Sequence, residues 1–240
     1  MNSQSRVYVA GNTGLVGSAI IRMLQRKGYV NISLSPSSDF DLRQQEDVER
    51  FFRDNEPEYV YLAAAKVGGI LANRDFPAHF IYDNLMIQSN IIHAARKFGV
   101  KKLLFLGKFD EGKDVIDHDL GGPFNPSISL WGDGTPKREF LHVDDLAEAC
   151  FTAMVNYDSD EPLNVGTGED IEIGALARMI SDVVGFNGGI IWDTDKPNGT
   201  PRKVLDVTKI KSLGWEPKIK LKDGIKETYD WYKQILMEKN

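Results

Sequence analysis

The chain has 240 residues, a net charge of −6, 42% hydrophobic and 27% charged residues, figures ordinary for a soluble globular protein. It has no basic run to meet nucleic acid or an anionic membrane and no apolar run long enough to span a bilayer, so neither partner is expected. The lone Cys150 excludes an internal disulfide and, with no apolar leader-like segment at the start, suits a reducing cytoplasm.

Val7–Ala10 is a short apolar, partly β-branched run and reads as a buried strand. The stretch Gly11, Asn12, Thr13, Gly14, Leu15, Val16, Gly17 follows, and Val16, Ala19, Ile20, Met23 and Leu24 then repeat at helical period. Strand, glycine turn and helix together form the context of a dinucleotide fingerprint. Gly11 allows the tight turn, Gly14 lets backbone approach a pyrophosphate, and Gly17 lets helix pack against strand. The helix N-terminus offers free N–H groups and partial positive charge. The alternative is a glycine-rich turn without a ligand. Gly28 should end this helix.

Asn31–Leu34 reads as a second strand, with the neutral tip Ser35-Pro36-Ser37-Ser38. Asp41, beside Leu42, either bonds adenine or ribose or caps the next helix. That helix, Gln45–Asn55, should bury Val48, Phe51 and Phe52. Tyr59–Leu62 is the third strand. The small side chains of Ala63, Ala64 and Ala65 let a cofactor lie against backbone or, alternatively, let a helix pack closely. Lys66–Ile70 is a loop beside the presumed site. Pro77 opens a long helix through Ile81, Leu85, Ile91, Ile92 and Ala95 to Gly99. On it Met86 and Asn90 face ligand, core or solvent. Lys101–Leu106 is the fourth strand.

These residues resemble a known family. Gly11–Ile20, Ala63–Ile70, Ser89–Ala95 and Leu103–Gly107 are similar to GDP-L-fucose synthases, epimerase-reductases of the extended short-chain dehydrogenase/reductase family. The resemblance implies an α/β fold, a doubly wound, Rossmann-like parallel sheet with a smaller C-terminal substrate-binding part, and a cytoplasmic enzyme of GDP-fucose biosynthesis. It also implies NADP(H), a GDP-sugar substrate and a homodimer. Thr13 and the second strand's tip lack the basic residues many relatives carry there, so NAD(H) stays open beside NADP(H).

The resemblance further implies a Ser directly after Leu-Gly and a helix bearing Tyr-x-x-x-Lys. The Tyr hydroxyl moves a proton at the sugar carbonyl, the Lys lowers its pKa, and the Ser orients the carbonyl. Here Lys108 stands in the Ser position, and the 23 residues between Gly107 and Trp131 contain no Tyr. No catalytic residue is assigned. Tyr229-x-x-x-Lys233 fits the spacing but lies on an amphipathic helix that must pack. His118 between Asp117 and Asp119 is a solvated loop rather than a metal set, and no metal site is expected. One or more central strands and helices are thus missing. Leu103–Leu106 then lies at a sheet edge, or the later strand Leu163–Val165 moves in beside it.

Beyond a short strand at Ile128–Leu130, Trp131–Asp145 again matches. Trp131 can wall a base and Arg138 can fork onto a diphosphate. Asp144 or Asp145 should cap a helix through Ala147, Cys150, Ala153 and Met154, while His142 reads as structural. Helices are expected at Ile173–Val184, Asp206–Leu213 and Leu221–Leu236, and a strand at Gly189–Trp192. By the resemblance, Arg202 or Lys203 meets nucleotide phosphates. The expected division is 1–108 for dinucleotide, 109–127 as a shortened junction and 128–240 for sugar nucleotide. Three readings follow: an epimerase-reductase impaired by its missing residues, a non-catalytic nucleotide-sugar binder, or a defective or incomplete chain of the family.

Overall fold

Strand β1 (Val7–Ala10) is wholly buried and β3 (Tyr59–Leu62) nearly so. Strands buried on both faces belong inside a parallel sheet covered by helices. In the computed structural model they are the middle pair of a four-stranded, all-parallel sheet, with β2 (Ile32–Leu34) outside β1 and β4 (Lys102–Phe105) outside β3. The structure describes residues 1–35, 40–67, 75–107, 119–120 and 127–238.

The chain forms two compact units that interleave along the sequence: 1–109 with 146–162 and 212–215, and 110–145 with 163–211 and 216–240. Residues 146–162 and 212–215 thus belong with the first unit, whereas a linear division at residue 128 places them with the second.

In the first unit, period-two alternation divides the strand side chains. Tyr8, Ala10, Val60 and Leu62 share a core with Val48, Phe51 and Phe52 of α2 (Gln45–Asn55) and with Ile91, Ala94 and Ala95 of α3 (Pro77–Lys97). Tyr8 meets Phe51 and Phe52 with ring centroids 4.5 and 5.7 Å apart. Each such pair adds about 1 kcal/mol beyond burial. The Tyr8 hydroxyl is satisfied by Ser35 Oγ at 2.8 Å. Helix α1 (Leu15–Arg26) buries Gly17, Ala19, Ile20, Met23 and Leu24. Cys150, on α4 (Val143–Asn156), is a core residue whose thiol pKa burial pushes up to about 12.

The direction in which successive strands are added to the sheet reverses between β1 and β3. The carboxyl ends of those strands flank the crevice where doubly wound sheets bind ligands. On the other side β4 is the last strand of its sheet among the described residues, and Phe105 is 44% exposed there.

Several expectations are corrected. Leu163–Val165 is not a strand: it finds no ladder partner in any sheet, and Asn164 instead donates its side-chain amide to the Asp206 carbonyl. Ile81, Leu85 and Ile92 follow the α3 period yet lie exposed, because the buried face is set by Asp83, Asn90, Ile91, Ala94 and Ala95. Neither Asp144 nor Asp145 precedes α4; both lie inside its first turn. The preceding His142 takes the capping position, its Nδ1 accepting from the Asp144 N–H at 3.3 Å. Buried Asp145 instead accepts the N–H groups of Lys218 and Ile219 at 3.0 and 2.8 Å.

The second unit holds two three-stranded sheets. In one, β5 (Asp119–Leu120), β6 (Ser127–Trp131) and β9 (Gly189–Asp193) lie in the order β5-β6-β9. In the other, β7 (Lys137–Arg138), β8 (Ile171–Glu172) and β10 (Arg202–Lys203) lie in the order β10-β7-β8. Helices α5 (Ile173–Val184) and α7 (Leu221–Glu238) pack on each other. The expected helix Asp206–Leu213 shortens to α6 (Thr208–Ser212), because the Asp206 carboxylate already accepts the Thr208 N–H.

Candidate functional site

The glycine turn is built by close approach. Gly11 has φ +87°, and a Cβ there would stand 2.8 Å from the Ala63 carbonyl and the Ala64 nitrogen. A Cβ on Gly17 would stand 2.0 Å from the Gly11 carbonyl oxygen. The turn, the first turn of α1 and the Ala63-Ala64 end of β3 therefore fit as one piece, tied by the Ala63 N–H to the Ala10 carbonyl at 3.0 Å. Gly14 is exposed and stands at the N-cap of α1, where no side chain caps the helix. The first N–H groups of a helix have no intrahelical acceptor, so this end is suited to an anion.

A cleft of about 380 Å³ lies here. Gly11, Thr13 and Gly14 line it with Asp41, Leu42 and Ala63–Ala65, so most of the candidate residues scattered over positions 11–65 come together. Asn12, Leu15, Val16 and Gly17 frame the turn rather than line the cleft, and Leu15 is largely exposed. Asp41 lines the cleft, and of its two open roles the capping one is corrected. It does not cap α2, whose N-cap is Gln44; its carboxylate instead takes the Arg43 N–H and guanidinium. The Arg43 hydrogen bond holds Asp41 below the usual carboxylate range. Of the two ambiguous α3 residues, buried Asn90 takes the core role, donating to the Leu42 carbonyl at 3.0 Å and fixing that loop. Ile87, rather than Met86, reaches the cleft.

Sequence reading missed Arg43 and Asp83 in this cleft and placed Lys66 only in a neighbouring loop. Asp83 is 6% exposed. It accepts from Lys66 Nζ at 2.6 Å and from Arg43 Nη1 at 3.1 Å, and these hydrogen bonds hold its carboxyl below the usual range. The signal was weak: an acidic residue on a helix normally faces solvent, and its partners lie 17 and 40 residues away.

In the second unit the structure brings Arg138 and Lys203 together as register partners across β7 and β10. Arg138 donates to the Lys137 and Thr200 carbonyls at 2.8 and 2.6 Å. Trp131 ends β6, with Lys196 Nζ 5.3 Å from its ring centroid. The segment Lys196–Lys203 thus touches both Trp131 and Arg138, while Asn198 accepts the Asp133 N–H between them. Glu139 fastens the arrangement: its carboxylate takes the N–H groups of Gly168 and Leu205 at 2.6 and 2.9 Å.

The Tyr229-x-x-x-Lys233 pair is not arranged as a proton-transfer dyad. Lys233 pairs with Asp230 at 2.8 Å and lies over the Tyr229 ring, 4.7 Å from its centroid. His118 and Asp117 lie outside the described residues, among which no metal-binding cluster occurs. Among the described residues no helix is long and apolar enough to cross a membrane.

Comparison with known proteins fits this geometry. A model of the NAD dependent epimerase/dehydratase family matches residues 7–126 and 108–174, two pieces that overlap over 108–126. "Putative GDP-L-fucose synthase 2" of Arabidopsis thaliana is 40% identical over 311 residues, covering 100% of this chain and 95% of the relative. "GDP-L-fucose synthase" of Escherichia coli is 39% identical over 311 residues, covering 96% and 97%. Both matches run over 311 aligned positions, more than the 240 residues here. A GDP-mannoheptose C4 reductase from Campylobacter jejuni, solved with NADP bound, superposes with TM-score 0.84 at 30% identity over 97% of this chain and 99% of that one. The chain belongs to the NAD dependent epimerase/dehydratase family.

Proposed function

We propose that this protein binds NADP(H) at the glycine turn and a GDP-sugar in its second unit, and that it is impaired in the epimerisation and reduction performed by GDP-L-fucose synthases. The carrying observation is the cradle: with Gly11 and Gly17 fitted against backbone, the uncapped end of α1 opens on a cleft that also holds Ala63–Ala65 and Lys66. A diphosphate laid there meets bare amides and the helix dipole. Bound NADPH supplies a hydride for reducing a 4-keto sugar. Arg138 with Lys203 suits the GDP diphosphate, and Trp131 offers its base a flat apolar wall. The names of the relatives support the guanine nucleotide sugar, and the NADP-bound reductase supports NADP(H).

Impairment follows from chemistry. Hydride delivery to a ketone needs a proton donor at the carbonyl oxygen. Lys108 replaces the Ser, no Tyr stands in the shortened stretch, and Lys233 is held by Asp230. The test is calorimetric titration with NADPH, NADH and GDP, followed by a turnover assay on GDP-4-keto-6-deoxy-mannose with the Escherichia coli relative as control. The expected result is binding of NADPH and GDP, with NADPH held more weakly than by the control, and no sugar-dependent NADPH oxidation. Steady oxidation dependent on the keto sugar overturns the impairment, and absence of NADPH binding overturns the cradle.

A further inference from the structure

We propose that Asp83 is a positioning residue of the cleft: its buried carboxylate sets the Lys66 ammonium and the Arg43 guanidinium where a bound nucleotide's phosphates meet them. The inference rests on the reading of this cleft as a nucleotide site.

One turn of α3 governs Lys66 almost completely. Asn84 grips its main chain from both sides, accepting the Lys66 N–H at 2.7 Å and donating to its carbonyl at 3.0 Å. Asp83 takes its ammonium at 2.6 Å, and Phe80 lies under the ammonium, 5.5 Å from the ring centroid. Arg43 is held the same way from the other side of the carboxylate, at 3.1 Å, while its Nε and Nη2 donate to Asp41. Both cations line the cleft that holds Gly11 and Gly14, and both side chains are close to half exposed. They remain accessible to a ligand while the anchor beneath them is not.

The four charges cancel: Asp41 and Asp83 against Arg43 and Lys66. The cluster is therefore no general attractor of anions, and its value lies in geometry. Long cationic side chains lose rotamer freedom when they grip a phosphate, and an anchor that has already ordered them removes that cost from binding. This argument fixes the sign of the test. Asp83→Asn makes the cleft one unit more positive, so simple attraction predicts tighter binding of an anion, whereas positioning predicts weaker binding.

The experiment titrates ADP and adenosine into the full chain by NMR, for the unmodified protein, Asp83→Asn, Asp83→Glu and Arg43→Gln. Thermal unfolding of each variant checks the fold. ADP affinity should fall about fivefold in Asp83→Asn and about twofold to threefold in Arg43→Gln, and recover in part in Asp83→Glu. Adenosine, which carries no phosphate, should change by less than twofold throughout. Unchanged or tighter ADP binding in Asp83→Asn overturns the proposal, as does equal weakening of ADP and adenosine, which marks a general collapse of the cleft. If Asp83→Asn fails to fold, unchanged ADP affinity in Arg43→Gln overturns it instead. If the unmodified chain binds neither probe, the reading of the cleft falls and the proposal with it.

Discussion

On the proposed reading, the glycine turn and the basic strand pair are two ways to meet a phosphate, made from different materials. At the turn the donors are backbone N–H groups at the head of α1, placed by contacts that leave no room for a Cβ at Gly11 or Gly17. At β7 and β10 they are the side chains of Arg138 and Lys203, placed by strand register and by one carboxylate, Glu139. The first arrangement depends on residues having no side chain, the second on having the right one. Single substitutions should therefore damage the first by sterics and the second by degrees.

The largest effect is expected for Gly17→Ala. The new methyl would stand 2.0 Å from the Gly11 carbonyl oxygen, so turn and helix must separate. A cost of about 3 kcal/mol is reasonable for such overpacking. Falling on the binding-competent state, it weakens NADPH about 100-fold by calorimetry; a loss below threefold would mean the turn is looser than drawn. Next, Glu139→Ala leaves the Gly168 and Leu205 N–H groups without their acceptor. It should cost about 2 kcal/mol in urea unfolding and weaken GDP about 30-fold by calorimetry. Arg138→Gln is milder: loss of one charge-assisted contact weakens GDP about tenfold and leaves NADPH unchanged. If both ligands weaken together, the two sites are not separate in the way proposed.

The smallest effect is a pH dependence at the turn's cleft. Hydrogen bonds from Lys66 and Arg43 hold the Asp83 carboxyl below its unfolded value. Its contribution is thus fully present above the ordinary carboxylate range and disappears as pH falls through the folded value. Thermal unfolding followed from pH 6 down to pH 3 should show an acid loss that is shallower in Asp83→Asn. Identical profiles would show that the ion cluster contributes nothing to stability.

The edge of the first sheet teaches a related lesson. β1 and β3 are protected on both sides by neighbouring strands, whereas β4 ends the sheet among the described residues, with Phe105 exposed. What the chain keeps is local in sequence: a strand, a turn and a helix within 20 residues. On the proposed reading, what a reductase needs beyond that, an inner strand and a helix carrying the proton donor, falls in the stretch that is shortened.

The sequence by itself determined the glycine turn, the period-two and helical runs and the absence of Tyr-x-x-x-Lys in its expected place, because each is a short-range pattern. It also placed Val48, Phe51 and Phe52 on the buried face of α2. Only the tertiary structure decided that Asp83 is buried under two cations, that Ile81 and Leu85 are exposed and that Leu163–Val165 goes unpaired. Those outcomes depend on partners dozens of residues away. A helical period or a β-branched run says which side chains share a face but not what, if anything, will cover it.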